Sequence, residues 1–339
     1  MTRIRAWDEP GALEEAAQLL GAGDVVAFPT ETVYGLGALC TDEAAVRRIF
    51  EVKGRPADNP LIVHVGGVPG ARTLAREWTN TAQALAEAFW PGPLTLVLPG
   101  APGLPIAVSA GLDTVALRMP AHPCALALLS RAGPIAAPSA NLSGRPSPTK
   151  AEHVFADLNG KVPLILDGGP CEKGLESTVL DITGEVPAIL RPGHVTAEDI
   201  AAAAGDVRIS PGVLGPLPEG AKAASPGVMH RHYAPRSSVT VFLGEEDAVR
   251  ASIAKEYATL KKAGFRPLVV GIGAWPGYES RTAADAEGLA RDFYAILLES
   301  EEGYTHLLVQ GVDMQDVGLA LMNRALRAAD FSVKVVNGT

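Results

Sequence analysis

Cysteine is scarce in this chain. Cys40, Cys124 and Cys171 stand alone, an odd three among 339 residues with no Cys-x-x-Cys spacing. That argues against a disulfide framework or a cysteine zinc site and points to a reducing, cytoplasmic location. Aromatic residues make up 5% of the chain, too few for broad base-stacking platforms. Positive charge is not in excess: the net charge is −9. This weighs against an overall basic nucleic-acid coat and leaves room for a local basic cleft. No uninterrupted apolar run approaches the roughly 20 residues of a membrane helix, so no membrane partner is expected. Met1 to Pro10 carries Arg3, Arg5, Asp8 and Glu9 and no apolar stretch, so no signal peptide is expected. The patterns G-x-x-x-x-G-K-[ST], H-E-x-x-H and G-x-S-x-G are also missing, which removes the P-loop, zincin and nucleophile-elbow chemistries.

Glycine and proline are plentiful, at 36 and 27 residues, and predict many sharp turns. A content of 47% hydrophobic and 20% charged residues fits a globular chain long enough for two domains. Residues 8–205 alternate short β-like runs with helical patterns. Residues 206–237 read as a linker, with Pro211, Pro216, Pro218, Pro226 and Pro235 among Gly212, Gly215, Gly220 and Gly227. Residues 238–339 read as a smaller unit in which apolar strands at 239–243, 268–272 and 306–309 alternate with helical patterns. That order predicts a parallel, Rossmann-like layer, although no G-x-G-x-x-G follows its first strand. In the first region several strand-to-strand steps predict an α/β sheet that is not purely parallel. A helix capped at Thr41 or Asp42 is expected to end at Gly54.

The chemistry gathers in a few strings. Lys53-Gly54-Arg55-Pro56, with Asn59 beyond it, sets a lysine and an arginine two residues apart in what reads as an exposed turn. A guanidinium forks two phosphate oxygens, while an ammonium serves as a movable point charge. Taken alone, the pair also reads as helix C-terminal cations that complement the dipole. Pro138 to Gly144 contains Ser139-Ala140-Asn141 between a buried strand and a Gly/Pro loop, adding neutral donors. Pro29 to Gly37 brings hydroxyls and Glu31 to the carboxyl end of a strand, where open α/β sheets place ligands. Glu31 is the carboxylate in these strings that reads as poised for acid/base or metal work. His64, in a predicted strand at 61–65, reads as a core histidine or a ligand. Arg118 and Arg191 each end a predicted strand; Arg118 is a candidate carboxylate clamp or a surface ion pair. Without a nucleophile motif, this set suits catalysis by positioning and charge neutralisation at phosphorus.

Together Lys53-x-Arg55 and Ser139-x-Asn141 resemble the signature of the YrdC-like family, the threonylcarbamoyl-AMP synthases. Thr30-Glu31-Thr32-Val33-Tyr34-Gly35, Asn59-Pro60-Leu61, Pro91-Gly92-Pro93-Leu94-Thr95 and Glu176-Ser177-Thr178-Val179 are similar to further blocks of that family, in order. Ser225-Pro226-Gly227 and His232-Tyr233-Ala234-Pro235 resemble its long, two-domain form. The resemblance implies a twisted mixed sheet with a concave basic cleft, plus a C-terminal Rossmann-like domain. It implies an enzyme that converts threonine, bicarbonate and ATP to threonylcarbamoyl-AMP and pyrophosphate, the first step towards the threonylcarbamoyl modification of tRNA adenosine 37. By the same resemblance, Thr32, His64, Arg118 and Ser177, with the Ala137 backbone, hold threonine. Lys53, Arg55, Ser139 and Asn141 form the catalytic set on the triphosphate with Asn59, and Thr114, Ser147, Arg191 and Tyr233 hold the rest of ATP. Mg2+ is expected with ATP, without protein ligands of its own. The expected downstream partner is a threonylcarbamoyl-transfer machinery, with at most weak direct contact with tRNA.

Two other readings are weaker. A non-catalytic RNA-docking module conflicts with the acidic balance and few aromatics. A hydrogenase-maturation carbamoyl-transfer factor would carry an acylphosphatase-like segment and Cys-rich zinc fingers, and this sequence has neither. Tyr233 lies in the linker, so the linker is expected to close over the cleft as a lid that keeps water from a labile adenylate. Deleting residues 225–339 is therefore expected to impair ATP use, with the fold of the remaining domain checked by circular dichroism. Equal turnover by the truncated protein would take Tyr233 out of the site.

Overall fold

The computed structural model describes residues 1–213 and 233–336. Much of the predicted linker, including the 225–227 string and His232, lies outside the described residues. The described residues form two compact units, one of residues 1–143 and 147–213, the other of residues 144–146 and 233–336.

The larger unit is built on one mixed sheet. Its strands are β1 (Arg3–Ala6), β2 (Val26–Phe28), β3 (Gly35–Leu39), β4 (Ile62–His64), β5 (Leu94–Pro99), β6 (Thr114–Arg118), β7 (Ile135–Ala136), β8 (Leu164–Asp167), β9 (Thr178–Asp181), β10 (Ala188–Arg191) and β11 (Arg208–Ile209). Their order across the sheet is β1-β8-β2-β3-β7-β4-β6-β5-β9-β10-β11. β4 and β6 run parallel, while β7 lies antiparallel to both of its neighbours. β11 pairs with β10, so the sheet continues past residue 205, where the sequence places the start of the linker. That two-residue strand is exposed and carries no apolar alternation to announce it.

Period-two alternation assigns the two faces. On β6, Val115 and Leu117 enter the main core, with Leu61, Val63 of β4, and Leu96 and Leu98 of β5. Helices on that side, such as Glu43–Lys53 and Asn80–Phe89, supply Val46, Ile49, Leu85 and Ala86. The first of these begins at Asp42, whose carboxylate accepts from the Ala44 and Ala45 amides at 3.0 Å. It ends at Gly54, with φ of 59°, the left-handed cap that glycine adopts without a Cβ penalty.

The opposite face is covered unevenly. Helices Ala12–Gly21 and Pro123–Ala132 cover β2, β7 and β8 through Val26, Phe28, Ile135, Leu164 and Leu166. Over β4, β6, β5 and β9 the same face carries a small cluster, Ile62, Val97, Ala116 and Val179 with Leu190 against it, built from strand residues alone. Polar residues flank this strip.

The smaller unit is a five-stranded parallel sheet. β12 (Ser238–Gly244), β13 (Pro267–Ile272), β14 (Ser280–Ala283), β15 (His306–Gln310) and β16 (Val333–Val336) stand in the order β14-β13-β15-β12-β16. The parallel layer read from the sequence is present. The two edge strands, β14 and β16, are four residues each and partly exposed, and they lie outside the strands read from the sequence. Among the described residues no helix is long and apolar enough to cross a membrane.

Gly37 on β3 lies where side chains of the two neighbouring strands leave no room for a Cβ. A Cβ there would lie 2.5 Å from Ile135 Cγ2 and 2.8 Å from Phe28 Cε1. Both neighbours are fully buried, so neither has room to yield. Gly37→Ala is expected to destabilise the larger unit by about 1–3 kcal/mol, read from the urea unfolding midpoint. An unchanged midpoint would mean that this contact relaxes freely.

Candidate active site

The two strings that carry the cations and the Ser-x-Asn tripeptide meet in space. Lys53 Nζ donates to the carbonyl oxygens of Ser139 and Asn141, each at 2.5 Å. The Ser143 amide donates back to the Lys53 carbonyl at 2.9 Å. Lys53 is thus buried on its helix, not exposed in a turn as its Gly/Pro surroundings suggest. The physical reason is the pair of carbonyl dipoles, which replace the hydration an ammonium loses on burial. Burial first, then the Arg55 charge, still holds the Lys53 pKa well below its ordinary value. An ammonium has three N–H bonds; two go to carbonyls and one remains.

Arg55 follows Gly54 and donates through Nη2 to the carbonyls of Asn59 and Pro60, both at 3.3 Å. Asn59 is buried, and its Oδ1 has no hydrogen-bond partner among the described residues. β6 runs parallel to β4 with Ala116 beside Ile62, so Thr114, the first residue of β6, lies towards the same end. Ser139 bridges to Gly35, and the Ala137 amide donates to Ile62 at 2.9 Å. These contacts place Lys53, Arg55, Asn59, Thr114, Ala137, Ser139 and Asn141 around one end of β4.

The other end holds His64 and Arg118, direct neighbours in the β4–β6 register. Arg118 is not a surface ion pair. It is buried, with Nη2 on Glu31 Oε1 at 2.7 Å and Nε on the Gly92 carbonyl at 3.2 Å. Glu31 Oε2 accepts the Ala121 amide at 3.0 Å. Both oxygens of the carboxylate that the sequence singles out for acid/base or metal work are therefore engaged. His64 is buried against the edge of the Phe28 ring, centroids 6.0 Å apart. Its Nδ1 has no partner among the described residues, so it is not a satisfied core histidine. Burial, then the charge of Arg118, pushes its pKa down to about 3.

The hydroxyls are oriented as well. Thr30 Oγ1 donates to the Val33 carbonyl at 2.7 Å, so in its 2.8 Å contact with Thr32 Oγ1 the proton belongs to Thr32. Thr32 is left with lone pairs to offer. Ser177 Oγ accepts from Arg191 Nη2 at 3.2 Å and shares a proton with Thr95 Oγ1 at 2.8 Å. Arg191 also donates from Nε and Nη2 to the Ser177 carbonyl, at 3.1 and 3.0 Å. Ser147 Oγ donates to Glu176 Oε1 at 2.6 Å. Thr95 and Glu176 lie inside strings that the sequence analysis quotes, yet it gives them no role. A threonine amid the apolar run Leu94–Leu98 was the available signal.

Thr114, Ala116 and Arg118 share one face of β6 and span four residues, about 13 Å at strand rise. The floor between the two ends is the apolar strip Ile62, Ala116 and Val97. Tyr233 belongs to the smaller unit, where its ring lies 5.3 Å from Tyr294 and 5.8 Å from the Arg324 guanidinium carbon.

Known proteins agree with this architecture over the whole chain. A profile of the Sua5, YciO and YrdC family, described as telomere recombination, matches residues 18–193, and one described as the threonylcarbamoyl-AMP synthase C-terminal domain matches residues 195–330. The threonylcarbamoyl-AMP synthase of Pyrococcus abyssi is 46% identical across 98% of this chain and 96% of its own length. The chain belongs to the threonylcarbamoyl-AMP synthase family. The family member of Bacillus subtilis is 42% identical across 94% of this chain and 92% of its own. A crystal structure of the Pyrococcus abyssi Sua5 in complex with L-threonine superposes with a TM-score of 0.93, at 44% identity, covering 99% of both chains. In the threonylcarbamoyl-AMP synthase fold described here, the residues of the two ends come from the profile-matched segment 18–193.

The His64 environment carries a sign for pH. The folded imidazole resists protonation, whereas an unfolded one protonates near 6.5. Stability from this group is therefore full above about pH 6.5 and falls as the pH drops towards the folded value. His64 is expected to keep neutral-imidazole NMR shifts from pH 8 to pH 5. A titration near pH 6.5 would show instead that water reaches the ring.

Proposed function

We infer that the protein is an L-threonylcarbamoyladenylate synthase, an adenylyl-transferring enzyme that makes threonylcarbamoyl-AMP and pyrophosphate from threonine, bicarbonate and ATP. The observation that carries this reading is the two-ended floor. A buried arginine and a neutral histidine stand at one end. Anion donors from Lys53, Arg55 and the Ser139–Asn141 segment gather at the other. About 13 Å of strand lies between the ends, room for an amino acid joined to the α-phosphate end of a nucleotide. Likeness to a protein crystallised with L-threonine supports the amino-acid half.

In this reaction the threonine amine adds to CO2 or bicarbonate to give a carbamate, and a carbamate oxygen attacks the α-phosphorus of ATP, expelling pyrophosphate. Arg118 holds the α-carboxylate through Nη1, the guanidinium nitrogen without an acceptor among the described residues. Thr32 accepts from the amine. Ser177, set by Arg191 and Thr95, meets the amino acid's polar side. The third N–H of Lys53, the Arg55 guanidinium and the side chains of Asn59, Ser139 and Asn141 neutralise and orient the triphosphate. Thr114, Ser147 and Arg191 serve the rest of ATP. Mg2+ is expected to arrive with ATP, held mostly by phosphate oxygens and water. A cytoplasmic location suits the three buried free thiols. The adenylate passes to a threonylcarbamoyl-transfer machinery, which completes the tRNA modification.

Incubating the protein with ATP, Mg2+, bicarbonate and labelled threonine is expected to yield labelled threonylcarbamoyl-AMP with matching pyrophosphate. Full substitution of serine for threonine would contradict the assigned pocket. Lys53→Ala and Arg55→Ala are each expected to lower turnover by about 10²-fold or more. Lys53→Ala is also expected to lower the melting temperature, because it strips two carbonyls of a short-range donor, with a smaller drop for Arg55→Ala, whose two carbonyl contacts are longer. Unchanged kinetics would remove either residue from the site.

A further inference from the structure

Glu31 holds the arginine of the amino-acid end without being free to do anything else. Three contacts from two segments, residues 118–121 and Lys173, fix it. Arg118 on β6 takes one carboxylate oxygen at 2.7 Å, and the Ala121 amide takes the other at 3.0 Å. The Lys173 amide takes the Glu31 main-chain carbonyl at 2.7 Å. The residue is 5% exposed, so solvent cannot substitute for these partners. The guanidinium is planar and rigid. With Nε on the Gly92 carbonyl and Nη2 on Glu31, its plane has no remaining freedom, and Nη1 is the nitrogen left to meet a ligand. Directly opposite in the β4–β6 register stands His64, whose buried Nδ1 has no partner among the described residues. Among the described residues, Arg118 Nη1 and His64 Nδ1 are thus two polar atoms without a partner at this end.

We propose that Glu31 is the positioning residue for the amino-acid end: it aims Arg118 so that Nη1 meets the threonine carboxylate alongside His64. Loss of the carboxylate leaves the guanidinium held at Nε alone, free to swing about its Cδ–Nε bond and to take another acceptor. The effect falls on amino-acid binding and not on the triphosphate end, because Glu31 contacts none of Lys53, Arg55, Ser139 or Asn141. Glu31 itself does not touch substrate in this account. The proposal rests on the reading of the protein as a threonine-using synthase.

The test measures threonine and ATP binding separately by calorimetry on the full chain, beside adenylate formation. Glu31→Gln keeps the shape and the Ala121 contact but weakens the bond to Arg118. It is expected to weaken threonine binding about 10- to 100-fold, the worth of one hydrogen bond to a charged group, with ATP binding within about twofold of wild type. In an Arg118→Gln background, Glu31→Gln is expected to add no further loss, since it acts through the arginine; this pair also removes both buried charges together and protects the fold. Three outcomes would overturn the proposal: unchanged threonine binding in Glu31→Gln, equal losses for threonine and ATP with a lowered melting temperature, or additive losses in the double variant. A drop in kcat at saturating threonine with KM unchanged would instead make Glu31 a proton-transfer group, and would equally overturn it. If the wild-type chain binds threonine but forms no adenylate, the functional reading fails while the role of Glu31 stands or falls on the binding data.

Discussion

One buried ammonium ties the phosphate end together. Lys53 reaches residues 86 and 88 positions further along the chain and bonds their carbonyls, so the end of one helix and the segment after β7 become a single wall. Without it, these two carbonyl oxygens would lose their donor, and the segment from Ser139 to Ser143 would lose one of its anchors, beside the Ala140 amide on Tyr34 and the Leu142 amide on Asp157. The Ser143 amide closes the same link from the other side. The placement of Ser139 and Asn141 follows from this interaction, and through the Gly35–Ser139 bridge it extends to the hydroxyl loop after β2.

The larger unit solves an electrostatic problem that a chain of net charge −9 does not advertise. Lys53, Arg118 and Arg191 are each at least nine-tenths buried. Arg118 is matched by the Glu31 carboxylate, Lys53 bonds two carbonyl oxygens, and Arg191 donates to the Ser177 carbonyl and hydroxyl. Carbonyl pairing solvates a cation without cancelling its charge. Such cations are already desolvated and oriented before ligand enters, which is where fixed charges act most strongly on a reacting phosphate. The depressed pKa of Lys53 is the mark of that arrangement, and a bound polyanion would favour its charged form.

Much of this was legible in the residues, and the gaps have physical causes. The helix bounded by Asp42 and Gly54 was readable because both caps are local chemistry. The strands 94–99, 114–118 and 164–167 were readable from apolar runs bounded by turns. β3 was not, because Gly35-Leu36-Gly37-Ala38-Leu39 lacks the β-branched residues that mark strands, and its glycines answer to Phe28 and Ile135 packed against them. The helices Val68–Leu74 and Ala197–Ala204 were too short or too alanine-rich to show a clear stripe. At the site, the strings announced which residue types gather. They could not announce burial. Lys53 looked exposed because lysine in a Gly/Pro context usually is, and only the pairing of sequence-distant carbonyls reverses that. Arg118 with Glu31 is the same case: an ion pair 87 positions apart leaves no local trace.

The way charge is distributed at the amino-acid end bears on the first chemical step. Proteins that bind amino acids as zwitterions can meet the ammonium with a carboxylate, which stabilises the protonated amine. A carbamate forms from the neutral amine, whose lone pair attacks carbon. Here the carboxylate nearest Arg118 is already committed to that arginine and to the Ala121 amide. The neighbouring histidine is held neutral by burial, and Thr32 presents lone pairs whose proton is donated elsewhere. In the proposed reaction Thr32 holds the amine by a neutral hydrogen bond, and Glu31, already paired, is not its counterion. The bound amine is then easier to deprotonate than it is in water. Glu31 therefore matters twice, as the arm that aims Arg118 and as a carboxylate kept away from the nucleophile.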